Sequence, residues 1–261
     1  MKIYDCFMYN NENLILDIRL NHLSKYVEKF IIIESKFDHQ GNLKKKFFDI
    51  NQFKKFKDKI VYKIIEKFPE NLSNWQRENY QRNYIEKCLN EVSDENYIMI
   101  SDVDEIPNIE NLEKIDKFKF TVFEQKNFSY KLNLVNQTIP IWYGSKLCKK
   151  KYLKSPQWLR NQKVKNFSFF KFYRIKWNII KDGGWHFSFI MDPEGIQKKI
   201  KSFAHSEFNI SEFTDIEKIK KRVNKNQDIF GREQKYSKIE INDSFPSYIK
   251  NNIDFFREWI L

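Results

Sequence analysis

Four apolar runs punctuate the first hundred residues, and the segments between them carry helical spacing. Ile3 to Met8 reads as a buried strand, after which Leu16, Leu20, Leu23 and Val27 recur as one face of a helix. Phe30-Ile31-Ile32-Ile33, ending at Glu34, predicts a second strand, and Ile60 to Ile65 a third. Between Trp75 and Leu89, the residues Tyr80, Tyr84, Ile85, Cys88 and Leu89 make another helical face, with Glu78 and Arg82 spaced for an ion pair. Tyr97 to Ile100 is the fourth strand, and it runs directly into Ser101-Asp102-Val103-Asp104. Continuous apolar strands alternating with amphipathic helices predict an α/β domain, its mainly parallel sheet covered on both faces.

The second half carries a different pattern. Phe118–Phe123, Phe128–Val135 and Phe167–Ile175 predict strands, and helices are expected near Pro193–Phe203, Phe213–Val223 and Pro246–Ile260. Gly183-Gly184 marks a turn or a flexible loop. With no internal repeat and no low-complexity linker, a single domain is expected over residues 1–261.

Composition adds constraints to this pattern. A hydrophobic fraction of 41% is enough for a substantial core, which excludes a disordered chain. The net charge of +12 would attract polyanions such as nucleic acid, anionic headgroups or phosphorylated sugars. The lysines are nonetheless spread along the chain, in runs no longer than Lys44-Lys45-Lys46 and Lys149-Lys150-Lys151, as the codon bias of an AT-rich genome would also produce. Cys6, Cys88 and Cys148 form no CxxC pair, which argues against a zinc ribbon and suits a reducing compartment. The start of the chain lacks a signal-peptide shape, and no run approaches the ~20 apolar residues of a spanning helix. The expectation is a cytoplasmic protein, at most in peripheral contact with an anionic membrane.

Candidate chemistry centres on Asp102-Val103-Asp104-Glu105. Ligands of open α/β sheets bind beyond the carboxyl ends of the strands, and two carboxylates two residues apart in extended backbone face one cleft. Such a pair suits Mn2+ or Mg2+ held beneath a nucleoside diphosphate. An isolated Asp-x-Asp is a weak signal; its place after a buried strand strengthens it. No GxGxxG, GxxxxGK[ST] or GxSxG is present, which sets aside dinucleotide oxidoreductases, P-loop NTPases and serine hydrolases. Of His22, His39, His186 and His205, the last two lie in Gly-Trp-His-Phe-Ser and Ala-His-Ser-Glu contexts, and either is a candidate third metal ligand.

Six blocks in order resemble glycosyltransferase family 17. They are Tyr4–Glu12 with Ile18–Leu23, Phe30–Glu34, Trp75–Glu78 with Tyr80–Asn83, Ser101–Pro107, Gly184–Ser188 and Lys201–Glu207. The resemblance implies a GT-A-like fold with a Rossmann-type sheet, an inverting mechanism and a UDP-sugar donor, with N-acetylglucosamine as the expected sugar. It divides the chain into a nucleotide-binding half, 1–107, and an acceptor-side half, 108–261. On this basis Asp102, Asp104 and His205 are the expected metal ligands, with His186 in reserve. Asp5, Tyr9, Asn10, Glu34, Arg77, Arg82, Asp102, Trp185 and His186 are the expected nucleotide-sugar contacts, and Asn83 lies on the same helix. Glu207 is the first choice for the base that activates the acceptor, with Glu105 and Asp192 as alternatives. The acceptor is a glycan on lipid, polysaccharide or protein, and nucleic acid is not an expected partner. Two rivals compete: a metal-dependent nuclease or phosphodiesterase, which would need more metal ligands, and a basic nucleic-acid-binding protein using lysines interleaved with aromatics, as at Lys165–Lys176.

Overall fold

The computed structural model describes residues 2–110, 115, 118–164 and 175–261. Among these residues the strands form two sheets. The first has seven strands in the order β11-β6-β10-β4-β1-β2-β3. Its parallel block consists of β1 (Ile3–Met8), β2 (Lys29–Ser35), β3 (Ile60–Ile65) and β4 (Tyr97–Ile100). These are the four strands predicted from the apolar runs, and their alternating side chains explain the runs. In β2, Phe30 and Ile32 enter the core on one face while Ile31 and Ile33 enter the core on the other; Tyr97 and Met99 alternate with Ile98 and Ile100 in the same way. A strand buried on both sides needs apolar residues at every position.

Helix α1 (Asn13–Leu23) covers one face, burying Ile15, Leu16, Ile18, Leu20 and Leu23, and it ends before Val27. Helix α2 (Asn74–Asn83) covers the other, opened by a capping box in which Ser73 and Gln76 satisfy each other's backbone amides. It tightens into a 3-10 turn over Tyr84–Cys88, so the predicted single helix is two pieces.

The parallel prediction fails beyond β4. Strand β10 (Lys146–Lys149) is antiparallel to both β4 and β6 (Phe120–Phe123), and β11 (Asn178–Ile180) then pairs parallel with β6. The second sheet, in the order β13-β8-β7-β12-β5 with β9 (Ile141–Trp142) beside β7, is mostly antiparallel. Its one parallel pair joins β7 (Gln125–Ser129) to β12 (Gly184–Ser188). The expected strand Phe128–Val135 is in fact the end of β7 and the start of β8 (Leu134–Asn136), reversed at Tyr130, whose φ is 65°. The remaining strands of this sheet are β5 (Glu105–Pro107) and β13 (Tyr236–Lys238). The predicted strand Phe167–Ile175 lies outside the described residues except at its last position.

Helix α3 (Pro156–Asn161) flanks β4, and α4 (Pro193–Ser202) follows β12. The predicted helix Phe213–Val223 divides at Asp215 into α5 (Ser211–Thr214) and α6 (Ile216–Asn224), because the Asp215 side chain caps the second piece. Near Pro246–Ile260 only α7 (Ser247–Lys250) and a terminal 3-10 turn form. No helix among the described residues is long and apolar enough to cross a membrane.

One arginine joins the sheets. Arg19 sits on the buried face of α1, fully enclosed, over the ring of Phe7. Its Nε and Nη2 donate to the Asp5 carboxylate at 2.8 and 2.5 Å, and Nη2 also donates to Ser101 Oγ at 2.5 Å. Its Nη1 donates to the carbonyls of Asp102, Val103 and Glu105 at 3.1, 3.2 and 2.7 Å. The segment it gathers is where the chain leaves β4 of the first sheet for β5 of the second. Removing one member of a buried pair leaves an uncompensated charge. Arg19→Met is therefore expected to lose about 3–5 kcal/mol of stability in urea denaturation, and Arg19→Lys to recover only part, since an ammonium cannot span a forked carboxylate.

Candidate active site

A cavity of about 910 Å³ opens beyond the carboxyl ends of β1, β2 and β4, and the acidic segment lies in its floor. Charge-compensated carboxylates define it. Asp102 accepts from Arg82 Nη2 at 3.1 Å and from Arg160 Nη2 at 2.7 Å. Burial opposes its charge, but the two guanidiniums outweigh burial and hold its carboxyl well below the usual range. Arg82 also pairs with Glu78 at 2.9 Å, the i,i+4 pair expected from the sequence, and donates to Gln157.

Glu105 is turned into the floor of the cavity. Its Oε1 accepts from Trp142 Nε1 at 2.6 Å and Arg160 Nη2 at 2.7 Å; its Oε2 accepts from Arg160 Nη1 at 2.7 Å and the Asp102 amide at 2.9 Å. Gly144 packs so closely that a Cβ there would overlap the carboxyl group. With four bonds in place and 1% of its side chain exposed, Glu105 is a structural anchor rather than a proton acceptor.

Asp104 faces Lys199 of α4, whose Nζ lies 3.0 Å from its Oδ2 and 3.5 Å from Glu12 Oε1. Burial works against the ammonium, but Asp104 and Glu12 raise its pKa above the ordinary value; burial pushes Glu12 up. The other oxygen of Asp104 lies 3.9 Å from His186 Nε2. The tautomer follows from the hydrogen bonds around the ring. Asn127 Nδ2 donates to Ile139 O at 2.9 Å, so its Oδ1 is the acceptor for His186 Nδ1–H at 3.0 Å. Nε2 is the ring nitrogen turned toward Asp104, across 3.9 Å. These two side chains are the ones that could hold a cation here.

The other expected metal ligand, His205, points elsewhere. It hydrogen-bonds Glu207 Oε1 at 2.6 Å and meets the Trp75 ring edge-on at 4.5 Å, both at the rim of the cavity. Among the described residues no three His, Cys, Asp or Glu side chains gather as a metal-ligand set, so Asp102, Asp104 and His205 do not assemble as one.

The expected nucleotide contacts divide likewise. Tyr9, Asn10, Arg82, Asp102 and His186 line the cavity. Asp5 is enclosed beneath the acidic segment by Arg19. Glu34 is equally buried, accepting from Lys44 Nζ (3.0 Å), the Phe47 and Phe48 amides (2.8 and 3.1 Å) and Tyr62 Oη (3.0 Å), so it shapes the loop after β2. Arg77 braces that loop through His39 O at 3.2 Å and Asn74 Oδ1 at 3.3 Å. Asn83 accepts from the Gln157 amide at 2.9 Å, and Asp192 caps α4 at Gly195 N, 2.6 Å away.

Several lining residues escaped the sequence reading: Glu12, His39, Trp142, Arg160 and Lys199. Asn10 Oδ1 is buried with no hydrogen-bond partner among the described residues. His39 Nε2 donates to Gln81 Oε1 at 2.9 Å, an amide oriented by its own bond to Ile33 O at 3.0 Å, which leaves Nδ1 as an acceptor. Burial lowers the His39 pKa, keeping the ring neutral.

A model of glycosyltransferase family 17 matches residues 1–244. The chain belongs to glycosyltransferase family 17. It is 21% identical to the β-1,4-mannosyl-glycoprotein 4-β-N-acetylglucosaminyltransferases of rat, mouse and human, over 98% of its own length and 54% of theirs. It thus spans about half the length of the curated relatives it matches. Membership displaces the nuclease and nucleic-acid-binding readings. Most of the Lys165–Lys176 stretch that motivated the latter lies outside the described residues.

Strand β12 sends His186 into the main cavity and Trp185 to the opposite side, where Trp185 Nε1 donates to Ser244 O at 2.9 Å and the ring meets His22 edge-on at 5.1 Å. Trp185 thus lines a separate cavity of about 240 Å³, away from the acidic segment. His22 is buried there with its Nε2 unpartnered among the described residues. Burial, reinforced by the Lys25 charge and opposed by a hydrogen bond with Pro107, pushes its pKa down to about 4 from an ordinary 6.5. A folded-state pKa below the unfolded one means the unfolded chain binds the proton more tightly. The stabilisation is complete above pH 6.5 and is lost as the pH falls toward 4, by roughly 3 kcal/mol in all. Thermal unfolding across this range is expected to show that acid loss in the wild type and a smaller one in His22→Gln.

Proposed function

We propose that this chain transfers a hexose, N-acetylglucosamine by preference, from a UDP-sugar to a glycan hydroxyl, with inversion at the anomeric carbon on a GT-A-like scaffold. The observation that carries the reading is the convergence of Asp104, His186 and Lys199 at the carboxyl ends of the parallel strands. The activity in the relatives' names supports the choice of sugar. Asn10, whose Oδ1 is buried without a hydrogen-bond partner among the described residues, lines the same cavity, and a uracil N3–H or a ribose hydroxyl would supply the missing donor.

In this reading Asp104 and His186 would hold Mn2+ or Mg2+. A cation so placed offsets the negative charge of the departing diphosphate. Asp102, fixed by Arg82 and Arg160, orients the donor and lies beside the metal position. Lys199 supplies a second positive charge, its ammonium passing from the Asp104–Glu12 pair to a diphosphate oxygen as the donor enters. The acceptor oxygen then attacks the anomeric carbon opposite the diphosphate. The anomeric carbon–oxygen bond breaks, its electron pair leaves with UDP, and the acceptor proton passes to a carboxylate. Glu207 is proposed as that base, since Glu105 and Asp192 are committed to the loop and the helix cap. The His205 hydrogen bond lowers the Glu207 pKa, so it is ionised at neutral pH.

UDP is expected to raise the melting temperature, and more so with Mn2+ present. Asp104→Ala should retain the fold and lose the Mn2+ increment, whereas a full increment would relocate the metal. Glu207→Gln should lower kcat by about 10²–10⁴-fold while leaving the UDP shift unchanged. Turnover at the wild-type rate would assign the base elsewhere.

A further inference from the structure

The cavity has a second half that donor chemistry does not use. Strands β7 and β12 run parallel with His186 opposite Asn127 and Ser188 opposite Ser129, so these four side chains share one face. The intervening Phe128 and Phe187 point the other way and are fully buried. The sheet is therefore apolar toward the core and carries an amide, two hydroxyls and an imidazole toward the cavity. Asp228, which also lines the cavity, is paired with Arg232 at 2.7 and 2.9 Å.

An aromatic plate stands at the head of this face. Trp142, from β9, lies nearly parallel to His186, with 4.8 Å between centroids and 19° between planes. Its Nε1–H is tied to Glu105 at 2.6 Å. One ring face and one edge are thus fixed, yet 36% of the residue remains exposed on the cavity side. At the foot of the face, β7 and β12 each end on an aromatic residue in left-handed backbone, Tyr130 (φ 65°) and Phe189 (φ 54°). Both line the cavity. That conformation is strained for a non-glycine residue, and such strain concentrates at ligand sites.

We infer that this face is the acceptor subsite and that it takes a neutral saccharide, with one pyranose ring stacked on Trp142 and its hydroxyls toward Ser129 and Ser188. Pyranose C–H groups offer an apolar surface to an indole while their hydroxyls need neutral polar partners, and the face provides both. The indole reaches the donor side through His186, whose Nε2 is 3.9 Å from Asp104. A sugar stacked there presents a hydroxyl beside the scissile bond. The inference rests on the proposed glycosyl transfer.

The test is saturation-transfer NMR with UDP and Mn2+ present, using the methyl β-glycosides of glucose, galactose, mannose and N-acetylglucosamine and methyl glucuronate as the charged control. At least one neutral glycoside should show ring C–H enhancement above the control. Trp142→Ala should reduce it at least tenfold, Trp142→Phe should keep most of it, and Ser188→Val should weaken it severalfold. In all three variants the UDP melting shift should persist. If UDP stabilises the wild type but no neutral glycoside is enhanced, or Trp142→Ala and Ser188→Val leave the enhancement intact, the inference is overturned. Loss of the UDP shift in Trp142→Ala would overturn it too, by giving the indole to the nucleotide. Failure of UDP to bind the wild type would instead sink the donor reading, and the acceptor subsite with it.

Discussion

The Arg19 guanidinium fixes the geometry on which the rest of the site depends. The acidic segment must leave a strand of one sheet, turn, and enter a strand of another, which strips its carbonyls of regular sheet partners. Three of those carbonyls, together with Asp5 and Ser101, converge on one planar cation buried in α1. An arginine can do this because its donors lie in a rigid plane and its charge survives burial. The turn is thereby clamped from below, and the side chains of Asp102 and Asp104 are left to face upward.

Above that clamp the chemistry is a balance of fixed charges. Five carboxylates crowd the floor of the cavity, those of Glu12, Glu78, Asp102, Asp104 and Glu105. Uncompensated, their repulsion would open the loop. Arg82, Arg160 and Lys199 each bridge two of them. The three cations differ in mobility. Arg160 is locked between Asp102 and Glu105, and the segment carrying it is held by the buried Lys146, which donates to Arg160 O and Gln162 O at 2.5 and 2.7 Å. Lys199 ends in a single ammonium on a flexible stem and can exchange one anionic partner for another. Three cations against five carboxylates leave the floor formally acidic, so the net charge of +12 is carried elsewhere on the chain.

How far the sequence could be read follows from the same physics. Strand β4 was legible to the residue because burial on both faces forces an unbroken apolar run, and β1 and the edge strand β3 because β-branched and aromatic residues dominate them. The β7–β8 reversal was not, because Tyr130 takes a left-handed backbone without the glycine or asparagine that usually signals one. Asp102 and Asp104 stood out by their spacing. Asp5 and Glu34 sit at comparable strand positions, but whether a carboxylate faces a cleft or pairs with a buried partner is decided by residues 10–14 positions away. Arg160 and Lys199 were invisible for another reason. In a chain with 47 basic residues, no local pattern separates the few that reach the floor of the cavity.

The division of the cavity completes the argument. One wall comes from the loops of a parallel sheet and carries charge. The other is the face of a mostly antiparallel sheet, and such a sheet can show a polar side only because its opposite side is buried. The acidic segment belongs to both, since it is the crossing between them. The proposed transfer, from a charged donor to a neutral acceptor, would need two unlike surfaces meeting at one point. Here the crossing from β4 to β5 is that point, and His186 connects the two walls, with Asp104 on one side of its ring and Trp142 stacked against it.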